Sequence, residues 1–383
     1  MNKIYLDHNA TTAPSPQVIA DVSRVMAEFF GNPSSQHWAG QDAKRILDVA
    51  RARASKLIGS KADEIVFTSG ATESNNTVFA HVAALARKRS VHVVTSAIEH
   101  SSVLNSCAAL EQQGVKVTYV QAAWDGRINA RQIEAAFTPE TVLVSVMLAN
   151  NDTGVIQPIA DIAVFAHARG ILVHTDAVQA AGRIPLDVKT LGVDFLSLSA
   201  HKFCGPRGVG VLYVKSGIEL VPLMQGGKQE TARRAGTENI PGIAGLGVAA
   251  EQAQQGVSNY TQRCVQLRSL LQQGILSLFP DTRIYGETAD RVANTLSMGF
   301  PGVDGMALML NLDIEGIAIS IGSACGAGDH EPSHVHKGMG CTEEDALSVV
   351  RFSLGPENTE EEIDATLAAL GRAVPRLRSM RVK

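Results

Sequence analysis

Apolar and polar positions along the first 240 residues form short, continuous apolar runs separated by segments with helical spacing. Continuous apolar strands joined by helical crossovers are typical of a parallel sheet that is covered on both faces. The pattern therefore predicts an α/β fold with a mostly parallel sheet, in which ligands bind beyond the carboxyl ends of the strands. The predicted strands are Glu64–Thr68, His92–Thr95, Lys116–Val120, Val142–Met147, Ile171–His174 and Phe195–Leu198, with helices such as Ala130–Phe137 and Ile159–Ala168 between them.

The pattern changes after about Pro241, where a long helical stretch, Ala244–Leu278, begins. Shorter elements follow and predict a smaller α+β domain. We expect a large domain at residues 15–250 and a small domain made of residues 1–14 and 251–383. The elements predicted in the second part are strands Arg283–Tyr285, Asn294–Met298, Ile317–Ile321 and Val350–Leu354, and helices Gly305–Leu312 and Thr359–Leu370.

Composition narrows the class of protein. Of 383 residues, 45% are hydrophobic and 19% are charged, which fits a water-soluble globular chain. The formal net charge of −4 gives no reason to expect nucleic acid or a membrane as a partner. The first residues lead into a strand-like Ile4–Leu6 rather than a signal peptide. Five cysteines without a C-x-x-C pair indicate reduced thiols, as in a cytoplasm.

One stretch, S-L-S-A-H-K-F-C-G-P-R-G-V-G-V at residues 197–211, carries the strongest chemical signal. Lys202 follows a buried strand and precedes a Gly-Pro turn. Burial lowers the pKa of a lysine, and its neutral amine can attack a carbonyl to form a Schiff base. A solvated lysine in a turn is the alternative interpretation.

Polar residues follow two other predicted strands. Ala71 and Thr72 begin a helix after Glu64–Thr68, and a helix N-terminus with small residues is suited to a phosphate. Asp176 follows Ile171–His174, where a carboxylate could cap a helix or bind a protonated ring nitrogen. His100 could stack on a ring or be a structural histidine. A lysine, an aspartate and a phosphate cradle on one rim together describe pyridoxal phosphate chemistry.

The chain resembles the cysteine desulfurases of the NifS/IscS family, within the fold-type I, class V aminotransferase group. The motifs that carry the resemblance occur in family order across nearly the whole chain. They are Y-L-D-H-N-A-T-T, G-N-P-S-S-Q-H, E-I-V-F-T-S-G-A-T-E-S-N-N, E-H-S-S-V, A-N-N-D-T-G-V-I-Q, H-T-D-A-V-Q, S-A-H-K, R-A-G-T-E-N, G-S-A-C, E-P-S-H-V and V-R-F-S-L-G. The resemblance implies a PLP-transferase fold with a seven-stranded, mostly parallel sheet, and a homodimer that uses pyridoxal 5'-phosphate and L-cysteine.

The resemblance also implies a role for each matching residue. Lys202 bonds covalently to the cofactor, and Asn151 and Arg351 position the substrate, with the Arg351 guanidinium binding its carboxylate. Thr237 reaches the phosphate across the dimer interface. The remaining cofactor-binding residues are Ala71, Thr72, Ser199 and His201 at the phosphate, Asp176 at the pyridine nitrogen, Gln179 at the ring oxygen and His100 over the ring.

Cys325 lies in G-S-A-C-G-A-G, where flanking glycines favour an exposed thiol over a small buried apolar residue. In the family this cysteine takes sulfur from substrate cysteine, which leaves alanine and an enzyme persulfide for an acceptor such as an iron–sulfur scaffold protein. Gly326 and Gly328 add backbone freedom and few large apolar residues lie nearby, so we expect roughly Gly326–His336 to be poorly ordered. The alternative is an ordered loop whose glycines fit a tight turn. Two rival functions are a selenocysteine-cleaving or aminotransferase-like enzyme that does not need Cys325, and a catalytically idle binding partner.

The chain departs from the family at two places. Asp152 stands where glutamate is more usual, and Gly326 follows the cysteine where threonine or serine is more usual. The same region carries potential metal ligands, but we predict no metal site and interpret them as solvated loop residues. These residues are His330, His334, His336 and Cys341.

Overall fold

A computed structural model describes residues 3–322 and 331–381. In chain order its strands are β1 (Ile4–Tyr5), β2 (Ile65–Thr68), β3 (His92–Ser96), β4 (Lys116–Val120), β5 (Thr141–Ser145), β6 (Leu172–Asp176), β7 (Phe195–Ser199), β8 (Gly210–Val214), β9 (Arg283–Tyr285), β10 (Thr295–Gly299), β11 (Ile317–Ala318) and β12 (Val349–Ser353). Its helices are α1 (Pro16–Glu28), α2 (Trp38–Leu57), α3 (Ala71–Ala86), α4 (Ser101–Gln112), α5 (Ala130–Ala135), α6 (Ile159–His167), α7 (Val188–Leu191), α8 (Gln229–Ala232), α9 (Ile240–Leu278), α10 (Gly305–Ile314), α11 (His334–Gly338), α12 (Glu343–Leu347) and α13 (Glu360–Arg381).

The main sheet has seven strands in the order β2-β8-β7-β6-β5-β3-β4. β8 runs antiparallel to both of its neighbours, whereas the pairs from β7 to β4 are parallel. The predicted α/β fold and its mostly parallel sheet are confirmed. Adjacent residues face opposite sides of the sheet, so Leu196 and Phe195 belong to different apolar clusters. Helices cover both sides, which explains why the strands other than the edge strand β4 are buried at nearly every position.

A second, smaller assembly carries the rest of the chain. β12, β10 and β9 form an antiparallel sheet, and β1 pairs with β11 in parallel. These strands pack with α10 and α13 around their own apolar cluster. Helix α9 contributes Leu246 to the cluster of the main sheet and Leu271 to this second one. The division at residue 250, which falls inside α9, stays a prediction.

Local signals set several element ends. The Ser15 hydroxyl accepts a hydrogen bond from the Val18 amide at 3.2 Å and caps α1. Thr359 and Glu362 form a capping box before α13, with bonds of 3.2 and 3.3 Å. That helix continues past Pro375 to Arg381, so the predicted end at Leu370 is wrong.

Among the described residues, no helix is both long and apolar enough to cross a lipid bilayer. Their cysteines, Cys107, Cys204, Cys264 and Cys341, are free thiols.

Candidate active site

A cavity of about 790 Å³ opens at the carboxyl ends of β6 and β7, where the sheet topology predicts a ligand. The structure brings nearly all of the predicted site residues into its wall: Ala71, Thr72, His100, Asn151, Asp176, Gln179, Ser199, His201, Lys202 and Arg351. Thr237 is exposed and is not part of this wall. Cys325 lies outside the described residues.

Lys202 ends a single 3₁₀ turn, Ala200–Lys202, that follows β7. Its Nζ donates hydrogen bonds to the carbonyl oxygens of Asn9 at 2.7 Å and Ala10 at 2.8 Å. Burial, followed by the charges of Arg183 and Arg351, lowers the pKa of Lys202 to about 8. This is a largely desolvated amine, so the alternative of a solvated turn lysine is wrong.

Arg183 is a buried cation that sequence reasoning missed. Its side chain donates to the Oδ1 of Asn9 at 2.7 Å, to the carbonyl of His8 at 3.3 Å and to the Oε1 of Gln179. Within the described part of the chain, no carboxylate forms an ion pair with it. The guanidinium therefore adds an uncompensated positive charge beside Lys202.

Asn9 joins the two assemblies beneath Lys202. Its amide N–H donates to the Ser353 hydroxyl on β12, and its side-chain Nδ2 donates to the Asn151 carbonyl and the Thr295 hydroxyl on β10, each at 2.9 Å. The position was visible in the D-H-N motif, but its role depends on contacts between residues more than 100 positions apart. Asn9 thus fixes the carbonyl that accepts from Lys202.

Asp176 ends β6 and is buried. Its Oδ2 accepts from the Nδ2 of Asn75 at 2.9 Å, and its Oδ1 accepts from the Val178 amide at 3.0 Å. The same Asn75 amide group donates to the Ser102 hydroxyl at 2.9 Å. One amide therefore connects the acid of β6 to the start of α4.

His100 is the N-cap of α4. Its Nδ1 accepts from the Ser102 amide at 3.1 Å and lies 2.8 Å from the Ser102 hydroxyl. Because Nδ1 is an acceptor, the proton of the neutral ring is carried by Nε2. Asn75 and Ser102 thus link the orientation of His100 to Asp176, a connection that no sequence motif indicated.

The first turn of α3 forms the opposite end of the cavity. Gly70 precedes the helix and has no side chain to cap its first amides, which remain available to an anion. A Cβ on Gly210 would lie 2.6 Å from the Cα of Gly70, so the close approach requires glycine. Burial, with the charges of Lys202 and Arg207, lowers the pKa of His201 to about 4, and its imidazole is neutral at pH 7.

Arg351 reaches the cavity from β12. Its Nη2 lies 2.7 Å from the Asp7 carboxylate, and its Nη1 lies 3.2 Å from the Asp152 carboxylate. Nη1 also donates to the Asn151 carbonyl at 3.1 Å. Two buried polar atoms, the Nε of Arg351 and the Oδ1 of Asn151, have no hydrogen-bond partner among the described residues.

Both residues that flank positions 323–330, Gly322 and Glu331, line the cavity. Beyond position 330, the Ser333 hydroxyl donates to the Oδ2 of Asp152 at 2.9 Å, and the Nε2 of His334 donates to the Glu99 carbonyl at 2.8 Å. The poor order expected over Gly326–His336 stays a prediction. The part predicted at Gly326–His330 lies outside the described residues.

His336 is fully buried, with its Nε2 3.1 Å from the Ser297 hydroxyl. Its interpretation as a solvated loop residue is wrong, because α11 packs it against the ring of Tyr285 at 4.7 Å between ring centres. Residues 3–322 and 331–381 contain no group of three His, Cys, Asp or Glu side chains that could hold a metal ion.

Comparison with known proteins agrees with this site. Residues 4–366 match the family described as Aminotransferase class-V. Cysteine desulfurase 2 of Trichormus variabilis is 44% identical to this chain, over 99% of the chain and 95% of that protein. Cysteine desulfurase IscS of Methanosarcina thermophila is 42% identical, over 98% and 93%.

Solved structures show the same likeness. A NifS-like protein superposes with a TM-score of 0.92 at 37% identity, and covers 98% of this chain and 100% of its own. SspA in complex with cysteine superposes with a TM-score of 0.84 at 34% identity, over 94% and 100%. The chain therefore belongs to the class-V aminotransferase family, within the cysteine desulfurases of the NifS and IscS type.

Proposed function

We propose that this protein is a pyridoxal phosphate-dependent cysteine desulfurase that converts L-cysteine to L-alanine and passes the sulfur to Cys325. One observation carries the proposal. Lys202, Asp176 and Arg351 line a single cavity. Gly322 and Glu331, on either side of the segment that contains Cys325, line the same cavity. The names of the relatives support the same reaction.

The residues present fit pyridoxal phosphate. The uncapped first turn of α3, with Thr72 and Ser199, offers donors to the phosphate. Asp176 offers a buried carboxylate to the pyridine nitrogen, and Lys202 offers an amine of lowered pKa to the aldehyde. His100 and Gln179 would contact the ring between these ends. When bound, the cofactor supplies a carbonyl for amines and an electron sink that eases removal of the α-proton of an amino acid.

The chain's own residues then have separable tasks. Arg351 binds the substrate carboxylate with Asn151, which orients the α-carbon. Lys202 is able to hold or release a proton near neutral pH because its pKa lies near 8. His100 presents its Nε2–H, since Nδ1 is held as an acceptor by Ser102.

The sulfur step balances with Cys325 as the acceptor. The Cβ–S bond of substrate cysteine breaks, and a new S–S bond forms to the Cys325 thiol, which leaves alanine and a persulfide. No external oxidant is required, because the electron pair of the Cβ–S bond stays on Cβ. Cβ gains a proton and is reduced to the methyl group of alanine, while the transferred sulfur is oxidised to the persulfide level. We propose that the persulfide then passes to an acceptor protein in the cytoplasm, such as an iron–sulfur scaffold.

A homodimer is part of this proposal. Thr237 is exposed on its own chain and absent from the cavity wall defined by the described residues, which is consistent with a role at the phosphate of a partner. The segment just before it is held firmly. Arg51 forms an ion pair at 2.6 Å with the buried Glu230, which accepts from the Phe67 amide at 3.0 Å.

The test is mass spectrometry of the protein after exposure to L-cysteine. We expect one additional sulfur on the peptide that contains Cys325, and stoichiometric alanine. Cys325→Ala should keep the cofactor yet form almost no alanine, whereas Cys341→Ala serves as the matched thiol control and should form the adduct normally. Alanine production by Cys325→Ala at the wild-type rate would contradict the proposal and favour an enzyme that needs no thiol.

A further inference from the structure

The Arg351 guanidinium contacts two carboxylates of its own chain, those of Asp7 and Asp152. Its side chain is 5% exposed, that of Asp152 is 1% exposed and that of Asp7 is 18% exposed. Around this buried guanidinium, two negative charges face one positive charge. In a weakly polarisable interior, each of the two carboxylates strongly reduces the attraction of the guanidinium for a further anion.

The two carboxylates differ in how they are held. Asp152 is fixed at both oxygens, because Oδ1 accepts from the Nδ2 of Asn151 at 2.7 Å and Oδ2 accepts from the Ser333 hydroxyl at 2.9 Å. Asp152 also belongs to the cavity wall of the described structure, whereas Asp7 does not. Asp7 therefore holds the guanidinium from outside the cavity and opposes a carboxylate that arrives from inside.

The reaction gives this arrangement a use. The carboxylate is the same in cysteine and in alanine and takes no part in bond breaking. Tight binding of this carboxylate would strengthen the binding of substrate and of product equally. Such uniform binding lowers KM without raising kcat and slows product release. A guanidinium that is held in position but partly neutralised provides orientation without excessive affinity.

We propose that Asp7 and Asp152 position Arg351, and that the charge of Asp7 also weakens the attraction of Arg351 for the carboxylate of the amino acid. The inference rests on the proposed function, since it takes an amino-acid carboxylate as the ligand. Asp7 contributes mainly through its charge, because it stands outside the cavity. Asp152 contributes mainly through position, because it is anchored at both oxygens.

The test is calorimetric binding of L-alanine and of L-alaninamide, which lacks the carboxylate, to the holoenzyme. Asp7→Asn keeps an acceptor for Nη2 and removes the charge. It should tighten L-alanine binding about two- to fivefold, the effect of one partly exposed charge, and change L-alaninamide binding by less. Asp7→Ala removes the acceptor as well and should bind L-alanine more weakly than Asp7→Asn does. Asp7→Glu retains the charge and is the matched control, with folding checked by thermal melting.

The same substitution should appear in kinetics as a KM for L-cysteine that falls by a larger factor than kcat changes. If Asp7→Asn weakens the binding of L-alanine, or changes the affinities for L-alanine and L-alaninamide by the same factor, Asp7 is only structural. The inference is then overturned while the proposed function stands. If the wild-type holoenzyme binds no L-alanine and forms no persulfide, the proposed function fails, and the inference fails with it.

Discussion

Lys202 and Arg351 reach the same cavity from two different sheets, and the chain surrounds them in opposite ways. Lys202 donates to two backbone carbonyls and has as a neighbour Arg183, which pairs with no carboxylate of the described residues. Arg351 donates to a carbonyl and to the carboxylates of Asp7 and Asp152. Burial, followed by the charges of Arg183 and Arg351, lowers the pKa of Lys202 despite the opposing carboxylates of Asp176 and Asp7, whereas the Arg351 guanidinium is held directly by two carboxylates.

The difference matches the tasks assigned to the two residues. An amine that attacks a carbonyl must lose its proton, and a clamp for a carboxylate must keep its charge. Asn9 joins the two sides, because its backbone carbonyl accepts from Lys202 while its Nδ2 donates to the Asn151 carbonyl that Arg351 also uses. The contrast between neighbouring cations is what the following substitutions break or sharpen.

The largest effect is expected from Lys202. Lys202→Ala should reduce alanine formation on the order of 10²–10⁴-fold, because the proton-carrying amine is lost. Lys202→Arg keeps a positive charge that cannot be removed, and should fail equally. Borohydride should fix the cofactor to Lys202 in the wild type, as seen by peptide mass spectrometry, and to neither variant. Turnover by Lys202→Arg near the wild-type rate would mean that charge alone is needed.

Arg351→Ala should come next. Without this guanidinium, kcat/KM for L-cysteine should fall. The fall should correspond to a loss of transition-state binding free energy on the order of 2–5 kcal/mol, as is typical when a buried charge pair loses one partner. Arg351→Lys keeps the charge but not the two-pronged geometry, and should recover only part of the loss. Steady-state kinetics over a range of cysteine concentrations measures both. An unchanged dependence on cysteine would remove Arg351 from the site.

The pH dependence of the folding stability tests the surroundings of Lys202, because His8 responds to the same buried Arg183. Burial, followed by the charge of Arg183, lowers the pKa of His8 to about 4, whereas an unfolded chain binds that proton near pH 6.5. The folded state should therefore lose stability as the pH falls from 6.5 to 4, and be unaffected above this window. His8→Asn should remove about 1–2 kcal/mol of the acid-induced loss at pH 5. Equal acid sensitivity in urea titrations of the two proteins would contradict this origin.

Arg183 is expected to give the smallest change in activity. Arg183→Met removes the cation that helps lower the pKa of Lys202, so this pKa should rise toward its ordinary value. Less neutral amine at pH 7 should reduce turnover several-fold, with recovery at higher pH, since each pKa unit is worth about 1.4 kcal/mol. Arg183→Lys retains the charge as a control. A pH–rate profile that does not move would show that Arg183 serves only to hold Asn9 and Gln179.

The sequence made the strands and the residues just beyond them predictable. Continuous apolar runs indicate buried parallel strands, and the ends of β6 and β7 then place Asp176 and Lys202 on one rim. Arg183 could not be found in this way, because it lies in a turn between β6 and α7, where an arginine is ordinarily solvated. The pairing of Asp7 with Arg351 joins residues 344 positions apart and depends on the register of β12. Long-range polar contacts of this kind carry no local pattern.

The most direct test of the contrast is the reactivity of Lys202 in the cofactor-free protein, measured as a function of pH. A small amine-selective acylating reagent is applied briefly, and modification of the Lys202 peptide is quantified by mass spectrometry alongside an exposed lysine such as Lys56. Because only the neutral amine reacts, the account predicts half-maximal modification of Lys202 near pH 8, against about 10.4 for an ordinary lysine. A midpoint for Lys202 above pH 10 would contradict the claim that its surroundings favour the neutral amine.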